Sequence, residues 1–263
     1  MLPGGVVMTE STGSRPTAST DPVWPPLTDQ LRGDELHALK TELQREAEVL
    51  GFEALGVTDL DLAQHAAPFR EWLARGFHGS MGYLARNLDK RLAPEQLMPG
   101  TVRVISVRLR YQPGDDEPFA TLEDPASGYI ARYALGRDYH KVVRKRLTQL
   151  ANALMAAAET ATGDWRFRAF ADSAPVLERP LAVKAGLGWV GKHTLVLDRD
   201  AGSWFFLGEL FTNLPLPIDA PTEDNHCGAC RACMTVCRRT STRSPSNRTH
   251  SVSVVGPSWL RRL

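Results

Sequence analysis

The stretch TVRVISVRLRY, residues 101–111, decides the class of fold. Ile105, Val107, Leu109 and Tyr111 fall on one side of an extended chain, and Arg108 and Arg110 on the other. A period of two is what a pleated strand with one apolar face imposes. Upstream, Leu36, Leu39, Leu43, Ala47 and Leu50 recur at helical spacing from Asp34, and Gly51 closes the run. FEALGVTDL (52–60) reads as a short strand, and PFREWLARGFHGSMGYLARN (68–87) as two short helices broken at Gly76 and Gly79.

Downstream of the strand a Pro/Gly/Asp loop precedes a helix expected from Asp138, with Val143, Leu147, Leu150 and Leu154 as its buried stripe and Gly163 at its end. WRFRAF (165–170) alternates as a strand running into Asp172, and a helix with an early proline, Pro180, ends near Gly186. HTLVLD (193–198) and SWFFLGELF (203–211) read as two more strands, and PLPIDAP (215–221) as an extended linker. Helices and strands interleave, which predicts a layered α/β domain. Residues 1 to about 30 are rich in Pro, Ser, Thr and Gly without an apolar period, the composition of a disordered leader.

The composition is that of a globular protein, 43% apolar and 23% charged with a net charge of +1, which argues against a disordered or strongly nucleic-acid-like chain as a whole. No long uncharged apolar run suggests a membrane span, and no basic segment leads into an apolar one as in a secretory signal. All four cysteines cluster in HCGACRACMTVC (226–237), too closely for a disulfide framework; a reduced, cytoplasmic setting is expected.

Cys227, Cys230, Cys233 and Cys237 stand as C-x2-C-x2-C-x3-C, the interval at which thiolates wrap a [4Fe–4S] cube. Zinc competes, with His226 offering a fourth ligand, and so do reactive thiols without a metal. Arg238 replaces the proline that usually follows the last cysteine, and no second cysteine group exists. No Asp or Glu occurs after Asp224, whereas seven arginines do. A basic arm for nucleic acid, a tail without fixed structure and a shift of reading frame just after Cys237 all fit residues 238–263; the abrupt break inside a motif favours the third.

Three upstream stretches carry chemistry. RYALGRDYHK (132–141) places Arg132, Arg137, Asp138, Tyr139 and His140 where a loop enters a helix. Asp138 there is an N-cap, and His140 is either a solvated histidine or a functional one. FADSAPVLERP (170–180) sets Asp172 at the end of an apolar strand, where ligands gather in α/β sheets. A carboxyl partly desolvated there would hold a proton at neutral pH; a turn-forming aspartate is the plainer alternative. Glu178 and Arg179 follow, an exposed ion pair unless a site uses them. KAGLGWVGKHT (184–194) is neither a P-loop nor a dinucleotide fingerprint; its three glycines suit a tight connection from which Lys192 and His193 project.

Taken together, RYALGRDYHK, the run from Asp172 to Leu210 and CGACRACMTVC resemble the epoxyqueuosine reductases, in that family's order and spacing, from about Asp34 to Cys237. The resemblance implies a cobalamin-binding α/β domain like those of corrinoid-processing reductases and reductive dehalogenases, followed by a ferredoxin-like segment with two [4Fe–4S] clusters. It implies reduction of the epoxide on the modified wobble base of tRNA to an alkene, the last step of queuosine synthesis. Asp172 matches the family's proton donor; Arg91, Leu177, Glu178 and Arg179 would border the corrin, as would Lys192, His193 and Val196, with Asp138 and His140 organising substrate or cofactor. Cys227, Cys230 and Cys233 would bind one cluster and Cys237 the other.

The expected division is a leader over 1–33, the cobalamin domain over 34–220, a partial ferredoxin-like segment over 221–237 and a basic tail over 238–263. The expected partners are tRNA bearing epoxyqueuosine and a reductant, with no membrane, for a monomeric protein. With one cysteine group, electron delivery in the printed chain is expected to be impaired. A corrinoid carrier and a plain iron–sulfur electron-transfer module are the competing functions.

Overall fold

Two amphipathic helices close one face of a four-stranded sheet, and a short helix with a small hairpin closes the other. The protein is represented by a computed structural model that describes residues 33–111, 118–158 and 164–235. The expected leader before Gly33, most of the loop after Tyr111, the helix stop at Gly163, Cys237 and the basic tail lie outside the described residues.

The elements in chain order are α1 (Gly33–Val49), β1 (Ala54–Thr58), α2 (Ala63–Ala74), α3 (Leu88–Leu92), β2 (Arg103–Arg110), α4 (Pro118–Glu123), α5 (Tyr139–Ala158), β3 (Phe167–Phe170), α6 (Glu178–Lys184), β4 (Trp189–Val190), β5 (Val196–Leu197), β6 (Phe205–Thr212) and α7 (Ala232–Thr235). The main sheet has the order β1-β2-β6-β3, and β4 pairs with β5 apart from it. Every pairing in both sheets is antiparallel. The class is therefore mixed α/β, and the rule that ligands gather at the carboxyl ends of parallel strands does not account for this site.

Leu43 and Ala47 of α1, with Val143, Leu147, Leu150 and Leu154 of α5, pack on Ile105, Val107, Leu109 and Leu210 of the sheet. This is the stripe that the helical period marks. The helix α5 closes tightly because residue 208 is glycine: a Cβ there would lie 2.6 Å from Val143 Cγ1. On the opposite face Val104, Phe170 and Phe211 meet Val176 and Leu181. Beside them Ala182 and Ala185 pack with Leu187, Val196 and Phe205.

Both faces are covered. Arg108, on the face opposite Ile105, Val107 and Leu109, is buried under the hairpin, 2.8 Å from Asp198, and donates to Leu187 O at 3.0 Å. The region read as two short helices contains α2, which starts earlier and carries Pro68 inside it, followed by turns and a short 3-10 helix, Gly82–Leu84. HTLVLD narrows to the two residues of β5.

The segment expected as a linker is instead a packed strap. Leu214 and Leu216 are fully buried. Asp219 accepts the Val57 N–H at 2.8 Å, pairs with Lys40 at 2.6 Å and donates its own N–H to Val57 O at 2.8 Å. Thr222 donates its N–H to Val183 O at 3.1 Å, and its hydroxyl accepts the Gly188 N–H at 3.2 Å. Among the described residues no helix is long and apolar enough to cross a membrane.

Candidate active site

Asp172 lies two residues beyond the end of β3, in a left-handed conformation with φ 55°. That region is costly for a residue with a side chain and persists where neighbours enforce it. Here the Asp172 N–H donates to Glu178 Oε1 at 2.5 Å, and Glu178 opens α6. The turn throws the Asp172 carboxyl toward the first turn of α5. There the Tyr139 hydroxyl donates to Asp172 Oδ2, and His140 Nε2 stands 3.3 Å from the same oxygen.

His140 also faces Asp138, with Nδ1 at 3.0 Å from Oδ1. Asp138 Oδ1 accepts the His140 backbone N–H at 3.0 Å as well, so the N-cap expected from sequence forms. The hydrogen bond from His140 holds the Asp138 carboxyl below the usual carboxylate range. Tyr139 stacks on Phe206 at 4.1 Å between ring centroids and on His140 at 4.0 Å, which fixes the hydroxyl in direction. Burial, then the hydrogen bond to Asp172, raises the Tyr139 pKa far above its ordinary value, so the phenol stays a donor.

The burial expected for Asp172 is not found. Its side chain is 58% exposed, because the left-handed turn carries it off the end of the strand. The desolvated carboxyls are its neighbours. Burial pushes Glu178 up to about 7, with the Asp172 charge adding to the rise. Glu209, 0% exposed in the middle of β6, is raised well above the carboxylate range by burial and then by Glu178. Neither Glu209 oxygen makes a hydrogen bond of standard geometry among the described residues, and the Glu178 carboxyl adds to the rise in its pKa. Sequence reading missed both Glu209 and the role of Tyr139. The available signal for Glu209 was a lone carboxyl within the apolar run SWFFLGELF.

Around these acids stand the other expected contacts. Arg91, on α3, is 8% exposed, and its Nε has no partner among the described residues. Burial lowers its pKa, and the Tyr83 and Glu178 charges oppose that fall. Arg179 keeps an exposed side chain, yet the protein around it desolvates it enough to lower its pKa. The Arg179 guanidinium donates to the Thr194 carbonyl. Leu177 is the N-cap residue of α6 and packs on the second apolar cluster. The three described non-glycine residues with positive φ are Asn87, Asp172 and Thr194. Asn87 O accepts the Arg91 N–H and Thr194 O accepts from the Arg179 guanidinium, so each of the three is, or is bonded to, a residue of the expected site.

The glycine-rich connection behaves differently from its expectation. Gly188 has φ 142°, and a Cβ there would lie 2.1 Å from Leu197 O, so the glycine serves the β4–β5 hairpin. His193 does not project: it is 4% exposed, Nδ1 accepts the Leu195 N–H at 3.2 Å, and burial lowers its pKa to about 4. Val196 is a core residue, packed with Ala182 and Phe205. Lys192 turns to the cysteine loop and donates to Gly228 O at 2.7 Å and Cys230 O at 2.8 Å.

The cysteine loop is built locally. The Cys227 N–H donates to Asn225 Oδ1 at 3.0 Å, and the Cys230 N–H to Cys227 O at 2.8 Å. His226 meets Trp189 edge-on, 4.8 Å between centroids. The thiols of Cys227, Cys230 and Cys233 are free. Burial raises the Cys233 thiol, and the neighbouring Cys227 and Cys230 raise it further. No group of three or more His, Cys, Asp or Glu among the described residues is arranged to hold a metal ion. The donor set suits an iron–sulfur cluster in its chemistry; its described arrangement is not closed around one.

A family model described as epoxyqueuosine reductase QueG, DUF1730, matches residues 91–173. The epoxyqueuosine reductase of Pseudomonas aeruginosa is 49% identical over 212 residues, covering 81% of this chain and 58% of that protein. A crystal structure of epoxyqueuosine reductase with an epoxyqueuosine-modified tRNA-Tyr stem loop superimposes with a TM-score of 0.65 at 27% identity, covering 77% of this chain and 52% of that one. A structure of the Bacillus subtilis epoxyqueuosine reductase, described as having an aspartate catalytic loop swung out of the active site, gives 0.64 at 26% identity, covering 77% and 52%. The chain spans about half the length of the curated relatives it matches. By sequence and by fold it belongs to the epoxyqueuosine reductase family.

Proposed function

We propose that this chain carries the proton-donating half of an epoxyqueuosine reductase, which converts the epoxide of epoxyqueuosine in tRNA to the alkene. The observation that carries the reading is Asp172 beside the Tyr139–His140 pair, both meeting its Oδ2. Removing an epoxide oxygen as water takes two electrons and two protons. Opening the ring leaves an alkoxide, a poor leaving group until protonated. Asp172 supplies that proton from its second oxygen, while Tyr139 and His140 hold the carboxyl in place. His140 has a nitrogen toward each of Asp172 and Asp138 and can return a proton to Asp172 after transfer.

Arg91, Leu177, Glu178 and Arg179 are the residues that would border cobalamin, and the buried Nε of Arg91, without a partner among the described residues, suits a group that brings hydrogen-bond acceptors. His193 and Val196 are buried and Lys192 turns to the cysteine loop, so any part they take in holding it would be indirect. Cys227, Cys230 and Cys233 would hold an iron–sulfur cluster, with Cys237 serving a second one. Bound cobalamin would supply the reducing electrons, which a cluster passes on singly. Residues 34–220 form the cobalamin-binding unit and 221–237 the start of the ferredoxin-like segment. The partners are tRNA and a reductant, and the setting is the cytoplasm.

The test is Asp172→Asn in the reconstituted protein with epoxyqueuosine-containing tRNA. Loss of alkene formation with corrin uptake unchanged is the expected result. Turnover that survives the substitution removes Asp172 from the role. Corrin uptake without any effect of tRNA favours a carrier.

A further inference from the structure

Glu209 stands at the centre of the main sheet, opposite Ser106 of β2 and Phe170 of β3, on the face that α6 covers. Its side chain is fully buried, and neither oxygen has a partner of standard geometry among the described residues. Two residues past Phe170 is Asp172, whose N–H Glu178 accepts at 2.5 Å. Glu178 opens α6, which packs on β6 over this face, and its carboxyl adds to the rise of Glu209. Two ionised carboxylates cannot share such a place; one proton held between them removes the repulsion and satisfies a buried donor and acceptor together.

We infer that Glu209 is a positioning residue for Asp172: as a neutral carboxylic acid it donates to Glu178, which in turn accepts the Asp172 N–H and holds that residue in its left-handed turn. The inference deepens the reading of Asp172 as proton donor and rests on it. The groups facing the pair are Asp172 beyond β3, Arg179 on α6, Arg91 on α3 and Tyr139 on α5. The arginines act on Glu178, and both charges acting on Glu209 are carboxyls, Glu178 and Asp172. The proton therefore resides on Glu209 and the accepting oxygens on Glu178.

The test uses the 263-residue chain without cofactors. Infrared difference spectra between the native protein and Glu209→Gln, in H2O and D2O, read the carbonyl band of a protonated carboxyl at neutral pH. The expected result is a deuterium-sensitive band in the native protein and in Asp172→Asn, lost in Glu209→Gln. Hydrogen exchange of the peptide carrying the Asp172 amide gives the second readout. Glu209→Gln, whose amide still donates, keeps its protection, whereas Glu209→Leu speeds its exchange by about tenfold or more. No band at neutral pH, a band that survives in Glu209→Gln, or faster exchange in Glu209→Gln overturns the inference, even if Glu209→Leu does not fold. Turnover by Asp172→Asn would instead defeat the proton-donor reading and leave the band where it is.

Discussion

The acid cluster and the thiol loop are two sites of opposite construction. Asp172 is held by groups from α5 and α6, and behind them lies a carboxyl in the middle of the sheet. The thiols rest on one short loop, braced by Asn225 and by a single lysine reaching across from the hairpin. The acid cluster is preorganised by contacts between distant segments. A metal centre on the loop would be organised by its metal, because binding and local folding are then one free energy.

Substitutions sharpen that contrast. Asp172→Ala should cost about 10²- to 10⁴-fold in epoxide reduction, measured by alkene formation on tRNA. Its melting temperature should barely move, since the side chain is 58% exposed. A large drop in stability would mean that the turn, rather than the acid, is the important part. Tyr139→Phe keeps the stack on Phe206 and removes the donor to Asp172. Turnover should fall by roughly tenfold or more with the fold intact, measured as kcat against KM.

The carboxyl pair also predicts how stability varies with pH. Glu178, raised to about 7, and Glu209, raised well above its ordinary value, bind protons more tightly when folded. Their contribution is complete below the unfolded glutamate pKa and is lost as pH rises through the folded values. Buried His193, lowered to about 4 from 6.5, has the opposite sign: stability falls as pH drops through that interval. Above about pH 7 an unfolded histidine is neutral too, so only the carboxyl limb remains there. Native protein should lose on the order of 1–3 kcal/mol across that limb, and Glu209→Gln should flatten it in urea titrations. The smallest effect belongs to the thiol loop. Lys192→Ala should change global stability by less than about 1 kcal/mol while slowing iron uptake, followed by visible absorbance. A large global loss would show the loop to be as deeply integrated as the acids.

Much of this was legible in the chain. The stripe Val143, Leu147, Leu150, Leu154 and the Asp138 cap carry their meaning within a few residues, and so does the left-to-right order of helices and strands. What stayed hidden depends on contacts between distant segments. Alternation set Arg108 on the second face of the strand, but it does not announce that the hairpin covers that face. Lys192 and His193 are neighbours in sequence and diverge in space, one toward the cysteine loop and one inward. Asp172 was correctly placed at a strand end, but its exposure follows from a backbone angle that no residue pattern announces. Glu209 was visible only as an oddity in an apolar run, and its partner lies 31 residues earlier in the chain.

The strap that follows β6 sets a limit on reach. Thr222 is pinned at both its amide and its hydroxyl, to Val183 and Gly188, at the far end of α6. Cys227 follows five positions on, and an extended chain covers at most about 3.6 Å per residue. The first cysteine is thus leashed within about 18 Å of that anchor. An electron carrier bound through it would stay tethered to that anchor however the downstream chain is arranged, with no docking equilibrium to satisfy.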